Sequence, residues 1–216
     1  FRTVIGMEGQ LGTSWDWSMA LNWGRNTGID GSTNVANLDR VDQTLDTTVC
    51  SNAPGAAIPC AAYLGYGDVT QRVLDYIMFT TRDSGGNEQR SFSANLSGEL
   101  FELPAGWVGL ATGVEIREER GWRDPDPLTV LGISNTNQQD PIAGEYLAKE
   151  AFVELAVPLL QGMAFADYMT LNVAGRYSHY DMFGADTNYK VGLDWQIDPS
   201  PKVRANYATA FRIPNV

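Results

Sequence analysis

The feature that most constrains this chain is a two-residue alternation of apolar and polar side chains, repeated in run after run. Trp15, Trp17, Met19, Leu21 and Trp23 fall on one face, with Asp16, Ser18, Asn22 and Gly24 on the other. The same pattern sets Phe92, Ala94, Leu96, Gly98 and Leu100 against Ser91, Ser93, Asn95, Ser97 and Glu99. Val108, Leu110, Thr112, Val114 and Ile116 oppose Gly109, Ala111, Gly113, Glu115 and Arg117. Further runs cover Leu147–Val157 (Lys149 interrupting its apolar face), Met169–Tyr177, Tyr189–Ile197 and Val203–Phe211, and a weaker one covers residues 2–11. Period-two patterning means β-strands, since successive side chains of a strand point to opposite faces. About eight strands of roughly ten residues are expected, longer than the usual five or six and long enough to cross a bilayer when tilted.

The connections alternate in length. Gln10–Ser14, Leu103–Gly106, Asp198–Pro201 and Phe183–Ala185 read as tight turns, and Pro158–Asp167 as a somewhat longer one. Residues 27–75 and 122–143 read as long loops. Short and long connections swap ends in order, which is the up-and-down pattern of an outer-membrane barrel. Within the first loop, Asp68-Val69-Thr70-Gln71 has the form of a capping box, and the spacing of Val69, Val73, Leu74 and Ile77 predicts a short helix near residues 69–76.

The polar face carries Glu99, Glu115, Arg117, Glu150, Glu154, Arg176, Lys190, Asp194 and Arg204 in mid-strand. Ionised groups there need water or partners, so cross-strand pairs lining a wet interior are expected. A solvated outer face of a soluble sheet would look the same strand by strand. The other face carries Trp15, Trp17 and Trp23 near strand ends, with Tyr177, Tyr189, Trp195 and Tyr207, in the manner of aromatic girdles at a membrane interface. A secreted soluble β-sandwich that binds glycans and a self-contained small outer-membrane barrel stay open as alternatives.

Composition narrows the function. The 216 residues carry a net charge of −11, which argues against nucleic acid as a partner and against docking on an anionic lipid surface. Charged residues make up 19%, below the roughly 25% typical of soluble domains. No run approaches the roughly 18 apolar residues of a membrane helix, a test to which barrel strands are invisible. No catalytic constellation is visible: His179 is the sole histidine, with no adjacent acid or nucleophile elbow, and phosphate-binding glycine motifs are absent. The chain is read as no enzyme, with no cofactor and no metal. Cys50 and Cys60, with nine residues between them, suggest a local disulfide and an oxidising compartment, the alternative being two free thiols in a reduced one. In the second long loop Trp122, Arg123, Asp124 and Asp126 combine an aromatic platform, a cation and two carboxylates, a set able to hold a sugar or chelate and equally a Pro-ordered loop with solvated charges.

Several segments together resemble one family. Glu145-Tyr146-Leu147-Ala148-Lys149-Glu150-Ala151-Phe152-Val153-Glu154, followed by Val157-Pro158-Leu159-Leu160, resembles a strand of TonB-dependent outer-membrane receptors. Gly175-Arg176-Tyr177-Ser178-His179-Tyr180-Asp181 leading into Thr187–Trp195 is similar to that family's late-barrel hairpin. Val203–Pro214 is similar to its strand ending in Phe-Arg-Ala-Pro, with Ile213 where the family has Ala. Ser93–Gly106 and Gly113–Arg117 fit a subgroup, and the likeness covers most of residues 76–216. The resemblance implies an internal piece, about eight strands, of a barrel of roughly 22 strands in the Gram-negative outer membrane. It also implies uptake of a scarce substrate (siderophore, vitamin or glycan), a plug domain inside the barrel, and energy from the TonB complex through a TonB box. Neither plug nor box is among residues 1–216.

Overall fold

The computed structural model describes residues 1–63, 69–199 and 201–212. Eight strands form one antiparallel sheet in chain order: β1 (Arg2–Leu11), β2 (Trp15–Ala36), β3 (Met78–Leu103), β4 (Gly106–Asp124), β5 (Ile142–Met163), β6 (Ala166–Tyr180), β7 (Gly184–Gln196) and β8 (Lys202–Ala208). Among the described residues β1 pairs with β2 alone and β8 with β7 alone, so the sheet is not closed. All eight strands belong to this one sheet, whereas a sandwich needs a second sheet facing the first.

Register makes the alternation continuous from strand to strand. Ile5 lies opposite Leu21 and Met7 opposite Met19. Leu155 faces Val173, which faces Val191, which faces Tyr207. On the other face Glu154 lies opposite Ala174 and Ala174 opposite Lys190, while Thr170, Asp194 and Arg204 form a second row. The apolar face stays uncovered: Ile5 is 63% exposed, Met7 67% and Leu21 56%. The apolar stretches Trp15–Trp23, Phe92–Leu100, Val108–Ile116 and Met169–Tyr177 are nine residues each, about 25 Å of membrane height at the tilt of barrel strands.

Aromatic rings fill the gaps that glycines leave on neighbouring strands. A Cβ at Gly98 would lie 2.5 Å from Trp15 Cδ2, and one at Gly9 would lie 2.9 Å from Trp17 Nε1. On the polar face a Cβ at Gly113 would meet Asn95 Oδ1 at 2.5 Å and Phe152 Cε1 at 2.6 Å. These glycines are seats for rings, a use of strand glycine that rests on close approach rather than flexibility. At Gly12 the reason is conformational, since the β1–β2 turn holds it at φ 67°.

Strand lengths depart from the sequence expectation. β2 has 22 residues and β3 has 26. The first long connection therefore spans residues 37–77 rather than 27–75, and the second 125–141 rather than 122–143. Residues 27–34 have no apolar alternation, but backbone pairing does not require one. Nor is Pro158–Asp167 a loop. β5 runs to Met163 through a register shift between Pro158 and Leu160, where the proline has no N–H for the ladder.

The chain divides into two compact units, residues 1–25, 88–120 and 145–216 in one and 26–87 with 121–144 in the other. The second unit holds the ends of the long strands and three helices: α1 (Leu38–Leu45), α2 (Gln71–Ile77) and α3 (Pro127–Val130). Asn37 caps α1 by accepting from Arg40 N, and Thr70 caps α2 by accepting from Val73 N. Thr70 thus takes the role expected of Asp68, which lies outside the described residues. Val73 and Ile77 bury the apolar side of α2, α1 has no counterpart in the sequence reading, and Cys50 and Cys60 are joined by a disulfide.

Gly113→Val is expected to destabilise the chain by about 1–3 kcal/mol, because the new side chain must displace Phe152 and Asn95. Gly121→Val, where a Cβ would meet nothing within 4 Å, serves as control. Unfolding midpoints in detergent compare the two.

Candidate functional site on the polar face

Polar side chains form a belt across the strands of the first unit. Arg2 Nε donates to Asn22 Oδ1 at 2.8 Å, Asn22 Nδ2 to Gln89 Oε1 at 3.4 Å, and Gln89 Nε2 to Glu119 Oε1 at 3.1 Å. Arg117 follows, with Nε 3.1 Å from Glu119 Oε1 and Nη1 3.6 Å from Glu115 Oε1. Farther along, Glu150 accepts from Arg176 Nη2 at 2.8 Å and from Ser178 Oγ and Tyr180 OH at 2.9 Å each. Tyr180 also packs on Tyr146 and Phe211, with ring centroids 6.2 and 5.9 Å apart.

The nine charges singled out in the sequence separate into three groups. Glu115, Arg117, Glu150 and Arg176 belong to the belt. Asp194 pairs with Arg204 at 2.8 Å and accepts from Asn172 Nδ2 at 3.0 Å. Glu99, Glu154 and Lys190 are exposed and make no ion pair among the described residues. Glu154 and Lys190 stand on either side of Ala174 and line a depression of about 300 Å³ floored by Gly109, Ala111 and Ala156. Asn22, Gln89 and Tyr180 escaped the sequence reading as belt members, because neutral side chains carry no signal until register brings them beside charges. Tyr177 and His179 lie on the apolar face with Val173, as alternation requires.

The four loop candidates mostly build the second unit. Arg123 Nη2 meets Asp83 Oδ2 at 2.9 Å, and Asp83 Oδ1 accepts from Asp126 N at 3.0 Å. Asp126 caps α3 through Leu128 N at 2.9 Å and accepts from Arg82 N at 3.0 Å. Trp122 is half-buried, its ring against Gly86, where a Cβ would lie 2.7 Å from Cζ2. Asp124 is exposed, and among the described residues it alone of the four has no side-chain partner. The hydrogen bond from Arg123, seconded by the Asp126 amide, holds the Asp83 carboxyl below its ordinary range. The signal for this clamp lay in Asp83, in a segment with no alternation to draw the eye. Among the described residues no cluster of His, Cys, Asp or Glu has the makings of a metal site.

A one-layer meander with an uncovered apolar face and an ion-paired opposite face is a stretch of outer-membrane barrel wall. Comparison with known families agrees. The model for the β-barrel of TonB dependent receptor-like proteins matches residues 4–216, and the chain belongs to that family. No curated protein matches it. The family is one of outer-membrane transporters rather than enzymes.

Two outcomes test this geometry. Replacing Glu150 by Ala is expected to cost about 1–2 kcal/mol, since three donors lose a charged acceptor at a partly wet site; denaturant titration measures it, and a Glu150→Gln/Arg176→Gln cycle isolates the pair. The Asp83 clamp is stabilising above the carboxyl's unfolded value and is lost as pH falls through its lower folded value. Asp83→Asn should therefore change the tryptophan emission of the second unit at neutral pH, and the difference from the parent should shrink as pH falls through the lowered folded value of the Asp83 carboxyl.

Proposed function

We propose that the chain supplies part of the wall and the outward loops of an energy-coupled outer-membrane transporter that takes up a scarce substrate, a siderophore, vitamin or glycan. The observation that carries this is the pairing of faces in one sheet: hydrocarbon side chains left bare on one side, a cross-linked polar belt on the other. Bare Ile, Leu, Met and Trp in contiguous rows need a bilayer to cover them, and inward charges need water or a plug. Residues 37–77 and 125–141, with their disulfide and three helices, are the outward loops in this reading.

In the same reading the plug domain lies against the polar face. Glu154, Lys190 and Glu99, which make no ion pair among the described residues, have room to take partners from it. Substrate meets the belt around Arg117, Glu119, Glu150 and Tyr180. Within the second unit, taken by itself, Trp122 and Asp124 are the candidates for substrate contact, while Arg123 and Asp126 keep the loop in place. TonB engages a box elsewhere in the full receptor.

The test uses the full-length receptor in a Gram-negative host that lacks it, offered a panel of ferric siderophores, cobalamin and oligosaccharides. One substrate is expected to enter only when TonB is intact. Deleting residues 46–63, the disulfide-bearing segment, should cut its uptake at least about tenfold without lowering the amount of receptor in the outer membrane. Uptake that ignores both TonB and the loop would refute the transport reading.

A further inference from the structure

Helix α1, in the second unit, is inverted: it buries a threonine and exposes leucines. Thr44 is fully buried, whereas Leu38 and Leu45 are exposed, Leu45 by 51%. The Thr44 hydroxyl is satisfied in its seat, donating to Val41 O at 2.7 Å and lying 2.8 Å from Tyr63 OH. Helix α2 packs on the side of α1 that carries Arg40 and Gln43. There the Arg40 guanidinium lies 5.4 Å from the Tyr76 ring centroid and donates to Tyr76 O at 2.9 Å, and the Tyr76 hydroxyl donates to Gln43. Leu38 and Leu45 are about two turns apart and so share the other side, with Asp42 between them. Val49 is exposed shortly after the helix ends. A surface helix ordinarily buries such a stripe, but the described residues leave this one open. Transport along the wall makes no use of it.

The charges around the stripe are one-sided. Asp39, Asp42 and Asp46, on and directly after α1, and Asp75 on α2 stand against two guanidiniums, Arg40 and Arg72. Both guanidiniums are spent on the protein itself, Arg40 on Tyr76 and Arg72 on the carbonyls of Ala53 and Ala56. Among the described residues none of the four carboxylates is in an ion pair; Asp46 and Asp75 accept only from neutral donors, Thr48 and Gln71. The whole second unit repeats the imbalance. It has ten aspartates against four arginines and no lysine, glutamate or histidine, a charge of −6. An apolar stripe with a border of one sign is selective. An acidic partner is repelled by Asp39 and Asp42, and a neutral apolar one strips their water without replacing it. A helix with hydrocarbon on one side and lysine or arginine beside it satisfies both.

We propose that α1 is a docking face for a basic amphipathic peptide helix belonging to another molecule. The peptide's apolar side covers Leu38, Leu45 and Val49, and its cations meet Asp39 and Asp42. Hydrocarbon supplies the attraction and charge supplies the choice of partner, so both are required for binding.

The experiment is fluorescence anisotropy with the full-length receptor in phosphatidylcholine nanodiscs, the signal of empty nanodiscs being subtracted. Three labelled peptides of equal length are the probes: an amphipathic helix of Leu and Lys, the same peptide with Glu for each Lys, and the same with Ser for each Leu. The Leu/Lys peptide should bind at least about tenfold more tightly than either of the others. Asp39→Asn/Asp42→Asn should erase its advantage over the Leu/Glu peptide, and Leu38→Ser/Leu45→Ser its advantage over the Ser/Lys peptide. Glu8→Gln/Asp16→Asn, the same loss of charge on β1 and β2, should leave both advantages in place. Equal affinity of the parent receptor for all three peptides, or advantages untouched by the α1 substitutions, would overturn the docking face. Ser/Lys binding as tight as Leu/Lys binding would reduce it to an acidic surface and overturn it too. Retention of the Cys50–Cys60 disulfide, read by gel mobility with and without reductant, checks that the segment has folded. If the aspartate variant fails that check, the leucine variant decides. A receptor that transports its substrate yet ignores every peptide refutes the docking face alone.

Discussion

The backbone ladder in register is the interaction on which the rest of this structure depends. A bilayer offers no water to unpaired N–H and C=O groups, so strands must satisfy one another. Because the side-chain period is two, that same ladder assigns every residue to a face. A slip of one residue between β5 and β6 would turn Arg176 and Asn172 toward hydrocarbon and Val173 and Leu171 away from it. A charge on the lipid side of a barrel costs about 2–4 kcal/mol near the midplane. Each strand carries several residues with a strong preference for one face, so the correct register outweighs its neighbours by far more than any single contact contributes.

The two faces then solve different problems. The apolar face does not pack against protein, so it needs area and aromatic ends rather than interlocking shapes. The polar face must satisfy charges where solvent is restricted, and it does so by sharing: Glu119 serves Gln89 and Arg117, and Glu150 serves three donors. Glycine links the two problems. Trp15 over Gly98 and Phe152 over Gly113 bring rings flat onto neighbouring strands, one on each face.

Much of the wall was legible in the sequence, because period-two alternation survives without knowledge of partners. The rows Ile5–Leu21 and Leu155–Val173–Val191 follow from it directly. What depends on distant residues was not legible. Residues 27–34 extend β2 although Gly28, Gly31 and Ser32 give no pattern, since pairing with β3 supplies the reason. Trp122, Arg123 and Asp126 had the composition of a ligand platform, yet Arg123 and Asp126 are anchored by Asp83, some 40 residues earlier. The charges Glu154 and Lys190 were expected in ladders, but both lie opposite Ala174, whose methyl offers neither a partner. The likeness to the family came from several weak resemblances acting together, and Ile213 and Pro214, which close the last of them, lie outside the described residues.

The central claim is that one face of this sheet meets lipid and the other does not. Nitroxide labels placed singly at positions 169–177 of β6, in the full-length receptor reconstituted in a bilayer, test it most directly. Accessibility to oxygen, which concentrates in hydrocarbon, should peak at Met169, Leu171, Val173 and Tyr177 and fall at Thr170, Asn172, Ala174 and Arg176. Accessibility that does not alternate, or that peaks at Asn172 and Ala174, would contradict the account.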